Sequence, residues 1–134
     1  MMYMEENMEE KKFFVCKHCG NIITHVKDSG VRVMCCGEKM EEIVPNTTDA
    51  SKEKHVPEVL KENGKITVTV GSTLHPMTEA HLIEWILLVT KEGCQRKTLN
   101  ANCAPVAEFY ISDNDDVVCV YAYCNLHGLW RKDF

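Results

Sequence analysis

Two groups of side chains in this 134-residue chain could do chemistry, and both are of the kinds that bind metals. Cys16, Cys19, Cys35 and Cys36 form one group near the N-terminus, and His55, His75, His81, Cys124 and His127 form the other. Together they take nine of the fourteen cysteines and histidines. The first group is all sulfur, which suits iron or zinc held tetrahedrally; the second is mostly imidazole with one thiolate, which suits a redox iron or copper with room for a substrate. The chemistry expected is inorganic.

In the sulfur group, Cys16-Lys17-His18-Cys19-Gly20 is a two-cysteine knuckle whose two-residue spacer lets both thiolates reach one ion while backbone amides point at the sulfurs. Cys35 and Cys36 are adjacent, and in a regular strand adjacent side chains point to opposite faces. Both reach one ion only if the chain turns sharply, and Gly37 supplies the flexibility. Spacing alone leaves a structural zinc and an iron equally open, with a vicinal disulfide a distant third in a reducing compartment. His18 and His25 lie close by in sequence, but four thiolates already fill a tetrahedron, so both are read as surface histidines.

In the imidazole group, His75-Pro76-Met77-Thr78-Glu79-Ala80-His81 places two rings around a turn. Cys124-Asn125-Leu126-His127-Gly128 places a thiolate and a ring in the loop that ends a strand, and His55 arrives from upstream. Singly, each is more often a satisfied or exposed residue than a ligand; as a set with two pairs at chelating spacing they read as a metal site. Five donors exceed the four of a structural zinc and fit a square-pyramidal ion with one position open. A thiolate opposite that position favours one-electron oxygen chemistry over hydrolysis. Lys54 is the local cation for an anionic substrate and Glu53 the nearest carboxylate able to cap the open position, although by residue type alone they are one more solvated pair in SKEKHVPEVLKE.

The length allows one ordinary domain, or a domain of about 90 residues joined to a small one that needs a staple, and the cysteine map favours the second. Hydrophobic residues make up 45% of the chain and no apolar run approaches a membrane span. The start, MMYMEENMEE, is too acidic for a secretory signal, so a soluble cytoplasmic protein with reduced, metal-binding cysteines is expected. The net charge of −5 is shared along the chain, and neither part has the basic surplus of a nucleic-acid binder.

Short β-like runs at Phe13–Val15, Ile22–Val26, Val31–Met34 and Ile43–Val44 are too small to build a core, so a metal should be the centre of residues 1–45. Pro45–Ser51 reads as a linker. Beyond it, Lys65–Val70, Val106–Ile111 and Val117–Tyr123 alternate as strands, the last two forming a hairpin about Ser112-Asp113-Asn114-Asp115. His81–Thr90 is a continuous apolar run whose β-branched and aromatic content favours a strand over a helix. With no convincing helix, the fold expected for residues 46–134 is an antiparallel β-sandwich. Cys119 is read as a buried small hydrophobe and Cys94 as an exposed thiol in a loop.

These motifs together resemble desulfoferrodoxin, the two-iron form of superoxide reductase. CKHCGNI and CCGEKM resemble its rubredoxin/desulforedoxin-like module, and KEKHVP, TVGSTLHPMTEAH and AYCNLHG resemble its catalytic domain, so the likeness spans nearly the whole chain. The resemblance implies a mainly β protein: an iron module at 1–45 with an acidic extension, then an immunoglobulin-like catalytic sandwich at 46–134. It implies two irons, one on Cys16, Cys19, Cys35 and Cys36, the other on equatorial His55, His75, His81 and His127 with axial Cys124; zinc could replace either. It implies one-electron reduction of superoxide to hydrogen peroxide, Lys54 attracting the anion and ordering a protonating water, and Glu53 occupying the sixth position of the oxidised iron. A rubredoxin-like donor and a homodimer are implied partners, with no nucleic acid and no membrane. It gives no role to Cys94, Cys103, Cys119 or the acidic start. The rival reading is a non-catalytic iron carrier or a sensor of oxygen species.

Overall fold

The computed structural model describes residues 11–48, 50 and 52–134, with the side chain of Glu53 outside that description. The chain divides into two compact units, one ending at Val44 and the other beginning at Pro45.

The first unit is built from very short strands. β1 (Phe13–Val15) is the centre of a three-stranded antiparallel sheet, flanked by β2 (Ile22–Thr24) and by the later Glu41–Ile43, which is β5. β3 (Met34–Cys35) and β4 (Glu38–Lys39) form a separate two-stranded hairpin. Among the described residues the buried side chains are Phe13, Phe14, Cys16 and Met40, the last three clustered with Ile23 and Cys35 packed against them. So little apolar area cannot outweigh the entropy of ordering the segment, which is why this unit needs a staple. Val31–Met34 is not a full strand as expected: only Met34 joins the ladder, Val33 adds one bond by accepting the Met40 N–H at 2.9 Å, and Val31 stays 74% exposed. His18 is exposed and bridged to Glu38 at 2.9 Å, as a surface histidine should be, whereas His25 is half-buried edge-on to Phe14.

The second unit opens with α1 (Lys52–His55), a single helical turn and the one helix among the described residues. Seven strands follow: β6 (Pro57–Glu62), β7 (Lys65–Val70), β8 (Ile83–Thr90), β9 (Gly93–Thr98), β10 (Val106–Tyr110), β11 (Val117–Cys124) and β12 (Gly128–Asp133). They form two antiparallel sheets, ordered β10-β7-β6 and β12-β11-β8-β9. Sheets of three and four strands facing one another are the make-up of an immunoglobulin-like sandwich. The core lies between them: Ile66, Val68 and Val70 of β7 and Ala107 and Phe109 of β10 meet Ile83, Ile86 and Leu88 of β8 and Val120, Ala122 and Cys124 of β11. β7 shows the alternating burial that period 2 requires. β8 is buried on both faces, which explains its unbroken apolar run: Ile86 and Leu88 enter the core while Trp85, Leu87 and Val89 on the other face are 6–8% exposed.

Three expectations need correction. Val106–Ile111 and Val117–Tyr123 do not form a hairpin: β10 pairs with β7, and β11 pairs with β8 and β12 in the opposite sheet. Their connection crosses from one sheet to the other, and buried Asp115 fixes the crossing by accepting the backbone N–H groups of Glu92 at 3.1 Å and Asp116 at 2.8 Å. Alternation marks which residues face inward but not which sheet a strand joins. Nor is Pro45–Ser51 a free linker, since Asn46 docks on β12; its backbone N–H donates to Leu129 O at 2.9 Å, its Nδ2 to Arg131 O at 3.1 Å, and its Oδ1 accepts Arg131 N–H at 2.9 Å. Asp49 and Ser51 of that segment lie outside the described residues. Cys94 is exposed as expected but sits in strand β9, and Cys119 is buried in β11. Among the described residues no helix is long and apolar enough to cross a membrane.

Candidate metal centres

The knuckle closes through two backbone hydrogen bonds, Gly20 N–H to Cys16 O at 2.8 Å and Cys16 N–H to Asn21 O at 2.9 Å, with Gly20 at φ +84. The adjacent cysteines are reconciled by the β3–β4 turn. Cys36 and Gly37 both take left-handed backbone, φ +51 and +79, the pattern of a type I′ turn, which swings Cys36 to the side of Cys35. The four sulfurs lie within 4.8 Å of one another, Cys19 and Cys35 at 3.6 Å. Sulfurs around one tetrahedral ion are roughly 3.8 Å apart, so the set fits. Cys16 is buried and Cys19 and Cys36 are exposed.

Electrostatics within the set point to a missing positive charge. The Cys16 thiol is lowered to about 6, chiefly by the Cys19 backbone N–H. Cys36 is pushed up to about 12, chiefly by its hydrogen bond to Cys16. One sulfur therefore carries the charge while others donate protons to it. A divalent cation in place of those protons allows all four to be thiolates.

The second set gathers at one end of the sandwich. α1 delivers His55, which is 2% exposed and stacked on Trp130 at 4.9 Å between ring centroids. After β7, the His75 N–H bonds back to Val70 O, and the His75 ring, 3% exposed, donates Nδ1–H to Pro76 O at 2.6 Å. That bond leaves the His75 Nε2 lone pair facing His55 Nε2 at 3.1 Å. His81 closes a turn with Thr78 just before β8. Cys124 ends β11 inside the core, and His127 follows on a tight return made possible by Gly128 at φ +80. His127 Nδ1 lies 3.0 Å from His55 Nε2 and 4.0 Å from the Cys124 sulfur.

The four imidazoles form a nearly square ring. Neighbouring centroids are 4.6 Å (His55–His75), 4.7 Å (His75–His81), 5.0 Å (His81–His127) and 4.9 Å (His127–His55), with planes at 74–86° to each other. The His55–His81 diagonal is 6.5 Å. One donor atom from each, with the Cys124 sulfur, lies within 4.8 Å of all the others. Burial holds His75 down at about 4 and lowers His81 as well, the latter helped by His127 and Lys54, so both rings are neutral at neutral pH. Burial pushes the Cys124 thiol up.

His55 Nε2 lies 3.1 Å from His75 Nε2 and 3.0 Å from His127 Nδ1, and one proton on it can bridge to only one of them. His81 Nε2 is buried with no hydrogen-bond partner among the described residues, which costs about 1–3 kcal/mol if left so. A cation at the centre of the square satisfies all five donors at once, and four neutral nitrogens with one thiolate suit iron better than a closed structural zinc. The sequence-expected donors are all brought together. Lys54 is exposed beside His55, close enough to act on His81. The Glu53 side chain lies outside the described residues.

Two residues that sequence reasoning missed hold the site. Trp130, 1% exposed, covers His55 and donates its indole N–H to His127 O at 3.1 Å. Asn125 ties the Cys124–His127 loop to the segment around His81. A tryptophan two residues after the His-Gly pair was the only local hint of the first.

Residues 47–133 match the family model of desulfoferrodoxin. The chain is 43% identical to the desulfoferrodoxin of Clostridium acetobutylicum over 120 residues, 90% of this chain and 94% of that one. Among solved structures, the superoxide reductase from Treponema pallidum aligns with a TM-score of 0.79 and 36% identity, covering 93% of this chain and all of that one. The superoxide reductase (1Fe-SOR) from Giardia intestinalis aligns with a TM-score of 0.52 and 36% identity, covering 62% of this chain and 98% of its own.

Proposed function

This chain belongs to the desulfoferrodoxin family, and on that premise we propose that it is a superoxide reductase, joining one electron and two protons to superoxide to give hydrogen peroxide. The observation that carries this reading is the square of four imidazoles, two buried and two partly buried, completed by the buried Cys124 sulfur. On this reading His55, His75, His81 and His127 hold one iron with Cys124, and Cys16, Cys19, Cys35 and Cys36 hold a second in the module at 1–45, the sandwich at 46–134 being the catalytic domain. Iron bound by the histidine set supplies a one-electron reductant at its ferrous level, with the thiolate raising the electron density available to an oxygen species.

The protein's own groups do the rest. His75 and His81, neutral through burial, offer lone pairs without needing to lose protons, and Cys124 would release its proton to solvent when a cation takes its sulfur. Trp130 keeps water from the flank of His55. Superoxide is an anion and the chain carries a net charge of −5, so the long-range field weakly repels it and a local cation must capture it. Lys54, exposed beside His55, fills that role and holds a water that passes protons to the reduced oxygen. Glu53, by the family likeness, is the carboxylate that would cap the site when superoxide is absent.

The electron donor is proposed to be a rubredoxin-like carrier and the assembly a homodimer, both from the family likeness. Eight cysteines without a disulfide support a reducing compartment, for which the cytoplasm is proposed. Metal analysis with visible spectra of the reduced and oxidised protein tests the site. Two irons, one with tetrathiolate absorption and one with a single thiolate-to-iron band that superoxide brings up, are expected. Zinc in the histidine set of protein grown with iron in excess, or a band indifferent to superoxide, contradicts the reading.

A further inference from the structure

We propose that Asn125 is the positioning residue for His81, an inference that rests on the iron reading above. Four of the five donors are fixed by their own surroundings. His55 is buried and stacked on Trp130, His75 is locked by its bond to Pro76 O, Cys124 is a core residue of β11, and the His127 backbone is held by the Trp130 indole. His81 is different. It ends a turn whose residues Thr78, Glu79 and Ala80 are exposed, and the Thr78–His81 hydrogen bonds tie that turn only to itself.

The turn is fastened to the sandwich at two points. Its start is held where Met77 O accepts the Asn102 N–H at 2.8 Å and Met77 Sδ accepts the Ile83 N–H at 3.4 Å. Its end is held by the Asn125 side chain: Oδ1 accepts the Leu82 N–H at 3.0 Å and Nδ2 donates to Ala80 O at 3.0 Å, so the amide brackets His81 from both sides. The Asn125 backbone N–H adds a bond to Leu82 O at 3.2 Å. Because Asn125 stands between Cys124 and His127, this bracket sets the fourth imidazole against two other donors. The amide serves both bonds, one needing an acceptor and the other a donor.

The test is release of iron from the holoprotein to excess EDTA, followed in the single-thiolate band of the histidine centre, with the tetrathiolate band as internal control. Asn125→Ala is expected to speed loss from the histidine centre roughly 10–100-fold, the usual effect of removing an outer partner, and to leave the sulfur centre at its wild-type rate. Asn125→Asp keeps the acceptor for Leu82 but loses the donor to Ala80. Its added negative charge would by itself retain a cation, so a faster release, smaller than that of N125A, reports the lost bond. A purely structural residue would lower the unfolding temperature of the metal-free protein and leave iron release from the folded protein unchanged; that result overturns the proposal. Should N125A fail to fold, the uncharged, similarly shaped Asn125→Leu releasing iron no faster than wild type overturns it equally. A wild-type protein without the single-thiolate band is a distinct failure, which removes the iron reading itself and the ground for this one.

Discussion

The two metal-type clusters differ in what surrounds them, and the difference separates a metal that makes a fold from a fold that makes a metal site. Around the four cysteines there are two-residue and three-residue strands and, among the described residues, four buried side chains, with Cys19 and Cys36 exposed. Around the four histidines there are seven strands and a continuous core into which Cys124 is itself packed. In the first unit the sulfurs are the core. In the second the sandwich is stable ground on which loops from β7, β8 and β11 place donors whose neutral state burial has already prepared.

Removing metal should expose this contrast most sharply. Structural ions contribute apparent binding free energies of about 10–16 kcal/mol to small modules, far more than the first unit's apolar core can supply. Stripping the full chain with a chelator should therefore abolish amide hydrogen-exchange protection in residues 13–43 and leave β7, β8, β10 and β11 protected. Equal loss in both units would erase the distinction. Next in size, Cys124→Ser keeps the side-chain shape but removes the thiolate: the histidine centre's visible band should vanish and its iron affinity fall by more than about 100-fold, with the tetrathiolate spectrum intact.

Trp130 sharpens the comparison from the side of the scaffold. Trp130→Ala opens a cavity beneath His55 and should destabilise the metal-free sandwich by about 3–5 kcal/mol in urea unfolding. Trp130→Phe keeps a ring against His55 and loses the bond to His127 O and part of the indole's volume, at a smaller cost of about 1–2 kcal/mol. If the two variants were equal, the stack would carry none of the effect. The smallest effect is expected outside both cores. Lys54→Ala should slow the reaction with superoxide about 3–10-fold and flatten its dependence on ionic strength, read by stopped-flow at several salt concentrations.

The donors were legible in the sequence because a metal site demands particular side chains at chelating spacings, and those spacings are local: CKHC, CC, HPMTEAH and CNLH. The devices that aim the donors were not, since Asn125 acts on backbone atoms of Ala80 and Leu82, more than forty residues away in the chain. Strand β7 could be read from its alternation, but β9 (GCQRKT) is an edge strand exposed at every position and carries no period to detect. β6 escaped because most of it faces solvent, although Asn63-Gly64, at φ +48 and +80, is a strong signal for the hairpin that joins it to β7. The mistaken hairpin between β10 and β11 has the same origin. Two amphipathic strands joined by a turn look alike whether they pair or face each other, and the carboxylate that decides, Asp115, does so through the backbone of Glu92.

The central claim, that the histidine centre reduces superoxide without disproportionating it, is tested most directly by stoichiometry. Fully reduced holoprotein, in excess over a known dose of superoxide, should yield one hydrogen peroxide per superoxide and no dioxygen, with one equivalent of the single-thiolate band appearing for each. One peroxide and one dioxygen for every two superoxides would make the protein a dismutase, and superoxide decaying at its uncatalysed rate would leave the centre a carrier or sensor; either contradicts the account.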